Sequence, residues 1–471
     1  MKKRKLRMVG EHHTSFLNHL FPGDGLEAIA FALCGYLDTP EEEIFTVHSL
    51  VLYPHDKCTV RKGDRVEWSP AEIVNLFEIC KKKDLRLLKI HSHPEYWPFF
   101  SQVDDKSDID LSDTLTGWTG RDDKIASIVM LPGGKMIGRM IDGQGNFSNM
   151  DSIIVISHDI YCFHGLTEKE DKDAQLSEHD VQLRTRQAFG EGTTAILQKL
   201  KIGVVGCSGT GSIVAELLNR LGVGHIVLVD HDKVEFKNVN RILNSTTAHA
   251  QKDAYKVDVL KEAFEKTGTG SKVTAISSGL HSWEAYNAIA SCDITFGCMD
   301  TVDGRHLLNR ITTYFCAAFF DIGIRLDADG KGGINEVLGR IDYIQPGLSS
   351  LLTRERYTLE QLKSADLART DPEEHKKQLK EGYIKSANVE SPAVISVNMI
   401  FSSNAVTELL ARLHPFKDRG NENYASISFS VNGFLLIAER EGLVDEELKN
   451  KVGLGQRMPP LDSPLLILPP K

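Results

Sequence analysis

No C-x-x-C pair occurs in the 471 residues, no cysteine follows Cys316, and no run of eighteen apolar residues interrupts the chain. The first absence excludes the zinc knots and dithiol redox pairs that such spacing builds. The eight cysteines, at 34, 58, 80, 162, 207, 292, 298 and 316, are dispersed as in a chain kept reduced. The last absence excludes a membrane-spanning helix. Positive charge is also short. Lys and Arg number 55 against 65 Asp and Glu, and the resulting −10 opposes non-specific binding to a phosphate backbone, so nucleic acid is not an expected partner. The basic start MKKRKLRMVG runs into Glu11, His12, His13 and Thr14 where a signal peptide needs an apolar stretch, so a cytoplasmic location is expected.

What is present is a globular composition, 41% hydrophobic and 25% charged. The chain is too long for one core, and two or three domains are expected. Between Glu27 and Ile156, FTVHSLVLY, RLLKIHSH and IASIVML read as strands, while Ile73, Phe77 and Cys80 in PAEIVNLFEICKKK have helical spacing. This predicts an α/β domain over 1–160. The polar stretch GLTEKEDKDAQLSEHD marks a linker over 161–180. Next, KIGVVG, GCSGTGS, IVAELLNRLG and HIVLVDHD read as strand, glycine-rich turn, helix and strand. That βαβ unit opens a parallel, Rossmann-like sheet. VTAIS, ITFGCMD and the apolar helix VISVNMIFSSNAVTELLARL extend the domain over 181–440, and a C-terminal tail follows over 441–471, whose proline-rich end MPPLDSPLLILPPK is expected to be extended or disordered.

The first domain carries His91-Ser92-His93, then seven residues, then Ser101-Gln102-Val103-Asp104. Two imidazoles one residue apart at a strand end project to the same side, and a carboxylate one loop later completes three ligands for Zn²⁺, with a fourth position left for water. A zinc-bound water, acidified to a pKa of roughly 7, can attack a carbonyl at neutral pH. Glu27 is placed as the base that takes its proton and passes it to the leaving amine, and Ser101 as the donor to the oxyanion. The segment over about 20–150 resembles the JAMM/MPN family of zinc isopeptidases, whose upstream Glu and His-x-His, seven residues, Ser-x-x-Asp are all filled here. That resemblance implies hydrolysis after the terminal glycine of a ubiquitin-like protein.

In the second domain Gly206, Gly209 and Gly211 follow the strand KIGVV, and Asp230 follows Gly211 by nineteen residues. Phosphate on a helix N-terminus and ribose on a carboxylate would suit a nicotinamide cofactor as well as ATP. Two features favour ATP. Ser208 breaks the G-x-G-x-x-G spacing, and a polar string follows the second strand, with Asp230, Asp232, Asn238 and Arg241, then Lys256, and Asp300 ahead of a helix that holds Arg305. A carboxylate attacking the α-phosphate of ATP needs its like charge neutralised. Arg241 and Lys256 would do so, Asp300 would hold Mg²⁺, and Asp230 would bind the ribose.

From about 180 to 440 the chain resembles the ThiF/MoeB and ubiquitin-activating adenylation family, with Ser208 where a glycine usually stands. The resemblance implies activation of a ubiquitin-like protein and a conjugating enzyme or other acyl acceptor downstream. Arg184-Thr185-Arg186-Gln187 resembles the family's approach to the first strand, whose arginine reaches the partner subunit's ATP, and so implies a homodimer. Relatives that form a thioester keep a Cys in the crossover loop, yet residues 345–393 have none. Either the acyl-adenylate passes directly to an acceptor, as in sulfur-carrier activation, or a hydroxyl forms an oxyester. Ser386 stands nearest the position of that Cys, with Ser391 next, while Cys207 and Cys298 read as packing residues. A rival reading keeps both folds but makes the second domain a scaffold that only holds the ubiquitin-like protein.

Overall fold

Strict alternation along RLLKIHS puts Leu88 and Ile90 on one face of a sheet and Leu87, Lys89 and His91 on the other, and the chain builds its first half around that strand. The computed structural model describes residues 2–165, 181–381, 394–463 and 466–467. By contacts the chain divides into two compact units, the first formed by 1–174 with 314–316 and 451–458, the second by the remainder.

The strands of the first unit are β1 (Lys3–Val9), β2 (Ile29–Asp38), β3 (Glu42–Leu52), β4 (Val60–Lys62), β5 (Arg65–Glu67), β6 (Arg86–Ser92), β7 (Ile125–Met130), β8 (Met136–Ile141), β9 (Phe147–Asn149), β10 (Ser152–Ile156) and β11 (Ile160–His164). Its helices are α1 (Gly10–Leu20), α2 (Val74–Lys83) and α3 (Gln102–Thr119). Apart from the β4–β5 hairpin, the strands form one nine-stranded mixed sheet in the order β11-β10-β1-β3-β2-β6-β7-β8-β9. Helix α1 gives Phe16 to the core with Leu88, Ile90 and Ile128, while α2 and α3 give Phe77, Leu111 and Leu115 to the opposite core with Phe31 and Leu87.

Residues 451–458 lie along β2 and β3 within this unit. Gly453 O accepts from Gly35 N at 3.0 Å and Thr46 Oγ1 at 2.9 Å, and His48 Nδ1 lies 2.7 Å from Val452 O. Any side chain at Gly35 would collide, since a Cβ there would stand 2.2 Å from the Leu454 carbonyl carbon. The stretch set apart as a C-terminal tail over 441–471 carries structure ahead of its proline-rich end, including helix α13 (Glu446–Lys449), whose N-terminus Asp445 caps. A four-residue helix and a backbone-paired segment have no hydrophobic period, which is why the pattern did not reveal them. The expected linker begins inside β11, and 166–180 lie outside the described residues. Truncation after Asn450 should destabilise the first unit by about 3 kcal/mol, taking ~1 kcal/mol for each of these three hydrogen bonds. Differential scanning calorimetry should show its transition lowered by 5 °C or more.

In the second unit, β12 (Lys201–Val205), β13 (His225–Val229), β14 (Lys272–Ile276), β15 (Ile294–Gly297), β16 (Ala318–Ala328), β17 (Ile334–Ile344), β18 (Ser426–Ser430) and β19 (Leu435–Glu439) form one sheet. The order is β14-β13-β12-β15-β16-β17-β18-β19, parallel through β16 and antiparallel beyond. Its helices, before α13, are α4 (Leu183–Lys199), α5 (Gly209–Arg220), α6 (Thr247–Gln251), α7 (Lys256–Thr267), α8 (Trp283–Ala290), α9 (Val302–Tyr314), α10 (Leu359–Thr370), α11 (Pro372–Glu381) and α12 (Ile395–Leu413). The order reverses at β12, which lies between β13 and β15, so the crevice where ligands bind in such sheets opens beyond the C-terminal ends of these three strands. Among the described residues no helix is long and apolar enough to cross a membrane.

Candidate active sites

In the first unit, His91 stands near the end of β6 and His93 just beyond it. Two-residue spacing turns both imidazoles to one side, and their Nε2 atoms lie 3.1 Å apart. Ser92, pointing the other way, fastens this strand end to the segment before β2. Its Oγ accepts from Ala28 N at 2.9 Å and its N–H donates to Ala28 O at 3.0 Å, which carries the neighbouring Glu27 to the histidines. Helix α3 starts with a capping box in which Ser101 N and Oγ both donate to Asp104 Oδ2 at 2.7 Å, and Asp104 N donates back to Ser101 Oγ. Asp104 Oδ1 thereby sits 3.0 Å from His91 Nε2, and Oδ2 3.9 Å from His93 Nε2. Glu27 Oε1 is also 3.9 Å from His93 Nε2.

The protonation pattern follows from the partners. His93 Nδ1 is 2.7 Å from the Trp97 carbonyl, which can only accept, so Nδ1 carries the proton and the Nε2 lone pair faces the cluster. Burial, and then the charge of His91, lowers the His93 pKa and keeps the ring neutral. Burial pushes Glu27 up to about 8, helped by the charges of Asp104 and Asp64. Burial also raises Asp104, but hydrogen bonds from His91 and Ser101 outweigh it and hold that carboxylate far below its usual range. His91 Nδ1 is buried with no hydrogen-bond partner among the described residues. Two imidazole nitrogens and a carboxylate oxygen converge here within 4.8 Å of one another. A tetrahedral zinc ion, bonded at about 2.0–2.2 Å, would hold its donors ~3.3 Å apart, so the residues present fit that group.

In the second unit, β12 passes into α5 through Gly206, Cys207 and Ser208. Gly206 has φ +89°, and a Cβ on Gly211 would stand 1.7 Å from the Gly206 carbonyl oxygen, so the turn closes tightly on the helix. Asp230, just past β13, accepts from Cys207 N at 2.6 Å and from Asp232 N at 2.8 Å, which joins the two loops. Lys256 opens α7, is buried, and reaches Asp232 Oδ2 at 2.7 Å. Burial tends to raise Asp232, but the Lys256 ammonium overrides it and keeps the carboxylate ionised. The buried Asn238 accepts from Arg241 Nη2 at 2.9 Å, and the Arg241 stem lies 3.2 Å from where a Cβ on Gly209 would be. The structure therefore gathers Gly206, Gly209, Gly211, Asp230, Asp232, Asn238, Arg241 and Lys256 around one loop. The loop after β15 abuts it, since Cys298 O lies 2.8 Å from where a Cβ on Gly206 would stand, and Asp300, two residues on, is exposed.

Other predicted residues engage partners of their own or serve in packing. Arg305 turns to the fully buried Asp321, with Nε 3.2 Å from Oδ1, and so packs α9 on β16. Arg184 bonds Gln187 at 2.9 Å, and Arg186 lies 3.7 Å from Glu191 across the break that Gly190 makes in α4. Burial raises the thiol pKa values of Cys207 and Cys298, as suits packing residues. Ser386 and Ser391 lie outside the described residues. Sequence reasoning expected helix α12 but missed its approach to this turn, where Asn398 Nδ2 lies 2.3 Å from the place a Cβ on Gly209 would take and Ser402 Oγ donates to Thr210 O at 3.1 Å. Asn398 and Ser402 are four apart and share one face, but the helix also carries Ser396, Ser403, Asn404, Thr407, Glu408 and Arg412, so the pattern does not single them out.

A family model described as the ThiF family matches residues 179–432. The ubiquitin-like modifier-activating enzyme 5 of Culex quinquefasciatus is 27% identical over 163 residues, 32% of this chain and 38% of that protein. Its counterpart in Caenorhabditis elegans is 24% identical over 162 residues, 32% and 36%. The match thus spans less than two fifths of the length of these relatives. Among solved structures, E. coli MccB with MccA-N7isoASN has a TM-score of 0.44 at 16% identity, over 58% of this chain and 75% of that one.

Proposed function

The chain belongs to the ThiF family, and from that premise we propose that its second unit uses ATP to adenylate the C-terminal carboxylate of a ubiquitin-like protein. The observation that carries this reading is the convergence of Lys256, Arg241 and Asp230 on the Gly206–Gly211 turn. The N-terminus of α5 would take the phosphates and Asp230 the ribose. Arg241 and Lys256 would offset the charge that builds up as the carboxylate oxygen bonds to the α-phosphorus and pyrophosphate leaves, and Asp300 would hold Mg²⁺ beside them. The substrate class rests on the names of the curated relatives, which are ubiquitin-like modifier-activating enzymes. Arg186 would serve the second site of a homodimer. Intact-mass spectrometry with MgATP and a ubiquitin-like protein tests the outcome. AMP on that protein with no adduct on this chain means direct transfer to an acceptor, whereas an adduct cleaved by hydroxide and lost in Ser386→Ala means an oxyester.

The first unit supports a second activity, that of a JAMM/MPN zinc isopeptidase. The observation here is the convergence of His91, His93 and Asp104, with both histidines buried and the His93 tautomer fixed by Trp97. These three would hold zinc, which when bound supplies a Lewis acid and an acidified water. Glu27 would hold a proton at Oε1 and pass it to the leaving amine. Ser101 would first have to release Asp104 before its hydroxyl could serve an oxyanion. Together the two units would process a ubiquitin-like protein and activate it.

A further inference from the structure

Two metal-ligand candidates come from different elements, His91 from β6 and Asp104 from α3, and a buried ionic cluster links those two elements. Lys89 precedes His91 by two residues and faces the same way, while Asp108 follows Asp104 by one helical turn and shares its face. Lys89 Nζ donates to Asp108 Oδ1 at 2.5 Å and to Ser107 Oγ at 3.0 Å. From β8, Arg139 donates to Asp108 Oδ2 through Nε at 3.0 Å and Nη2 at 2.6 Å, and its Nη1 pairs with Asp105. Lys89 and Arg139 both register with Ser127 of β7, so a row across three strands presents two cations to one helix. The Arg139 guanidinium also lies 3.9 Å from the ring centre of Phe100, the residue before Ser101. Lys89, Asp108 and Arg139 are 2%, 1% and 5% exposed.

A buried ionic cluster of this kind adds little stability over an apolar replacement, because desolvation offsets the attraction, whereas its directional bonds admit one registry only. Leu111 and Leu115 already anchor α3 on the sheet. We infer that the Lys89–Asp108–Arg139 cluster is a positioning device that sets the rotation and height of α3 so that Asp104 meets His91 and His93. The inference rests on the zinc reading of the first unit.

The test is the paired substitution Lys89→Met with Asp108→Leu in the full chain, which keeps the net charge and leaves Arg139 with Asp105. Zinc affinity is measured by competition with a chromophoric chelator, and ligand geometry by the visible spectrum of the cobalt(II)-loaded protein. The expected result is a zinc Kd raised about tenfold or more and a weakened tetrahedral cobalt band, with the unfolding midpoint of the chelator-treated protein equal to or above that of wild type. Should the double variant fail to fold, Asp108→Asn, which keeps the side-chain shape, is read in the same way. Wild-type zinc affinity in the variant overturns the inference, as does weaker binding matched by an equal loss of stability in the zinc-free protein. If the wild-type chain itself takes up no zinc, it is the metal reading that falls.

Discussion

Replacing Lys256 with Ala is expected to lower ATP–pyrophosphate exchange by about 10²–10³-fold, the usual cost of deleting one preorganised donor from a site where charge develops. Lys256 is the best-buried cation of the crevice, and its ammonium is already held by Asp232 at 2.7 Å, so it needs no reorganisation when phosphate arrives. The structural penalty should be small, because Asp232 is half exposed and can be solvated once its partner is gone. A steady-state exchange assay, paired with calorimetric unfolding of the variant, separates the two. Loss of exchange with an unchanged transition fits the assigned role, and exchange at the wild-type rate would remove Lys256 from the machinery. Zinc content should stay as in wild type, since the residues assigned to the metal all belong to the other unit.

The converse variant, His91→Ala, should take zinc from one equivalent per chain to nearly none after dialysis, with a Kd raised more than ~100-fold, because an imidazole bonded to the metal matters more than the groups that hydrogen-bond to such ligands, whose loss costs about 10–100-fold. Hydrolysis of a ubiquitin-like fusion should vanish with it, while pyrophosphate exchange persists. Metal analysis by inductively coupled plasma mass spectrometry reads the first effect. Retention of a full equivalent would show that the metal, if bound, sits elsewhere, and loss of exchange in the same variant would contradict the division of labour.

Features set by short-range geometry were the legible ones. The strand, glycine turn and helix at 201–220 follow from an apolar run, a position that needs φ > 0, and helical spacing. The His-x-His and Ser-x-x-Asp spacings were legible for the same reason, although Ser101 and Asp104 proved also to be the two halves of a helix-capping box. What stayed hidden depends on partners far apart in sequence. Arg340, Arg354 and Arg356 all turn to the fully buried Asp342, and Ser349, Glu439 and Glu441 complete the network, yet none of these residues sits in a periodic pattern that would announce it. The return of 451–458 to the first unit is made largely by backbone carbonyls, which every residue has, so side-chain chemistry gives no warning of it. Asn398 and Ser402 reach the glycine loop only because α12 packs on α5.

The most direct test of the adenylation claim is isotope exchange between labelled pyrophosphate and ATP, with the full chain, Mg²⁺ and a ubiquitin-like protein bearing a free C-terminal carboxylate. Label should appear in ATP only when that protein is present, and should disappear when its carboxylate is amidated. ATP binding without any exchange across a panel of such proteins would contradict it, and would leave the second unit as a scaffold that holds a ubiquitin-like protein but does not activate it.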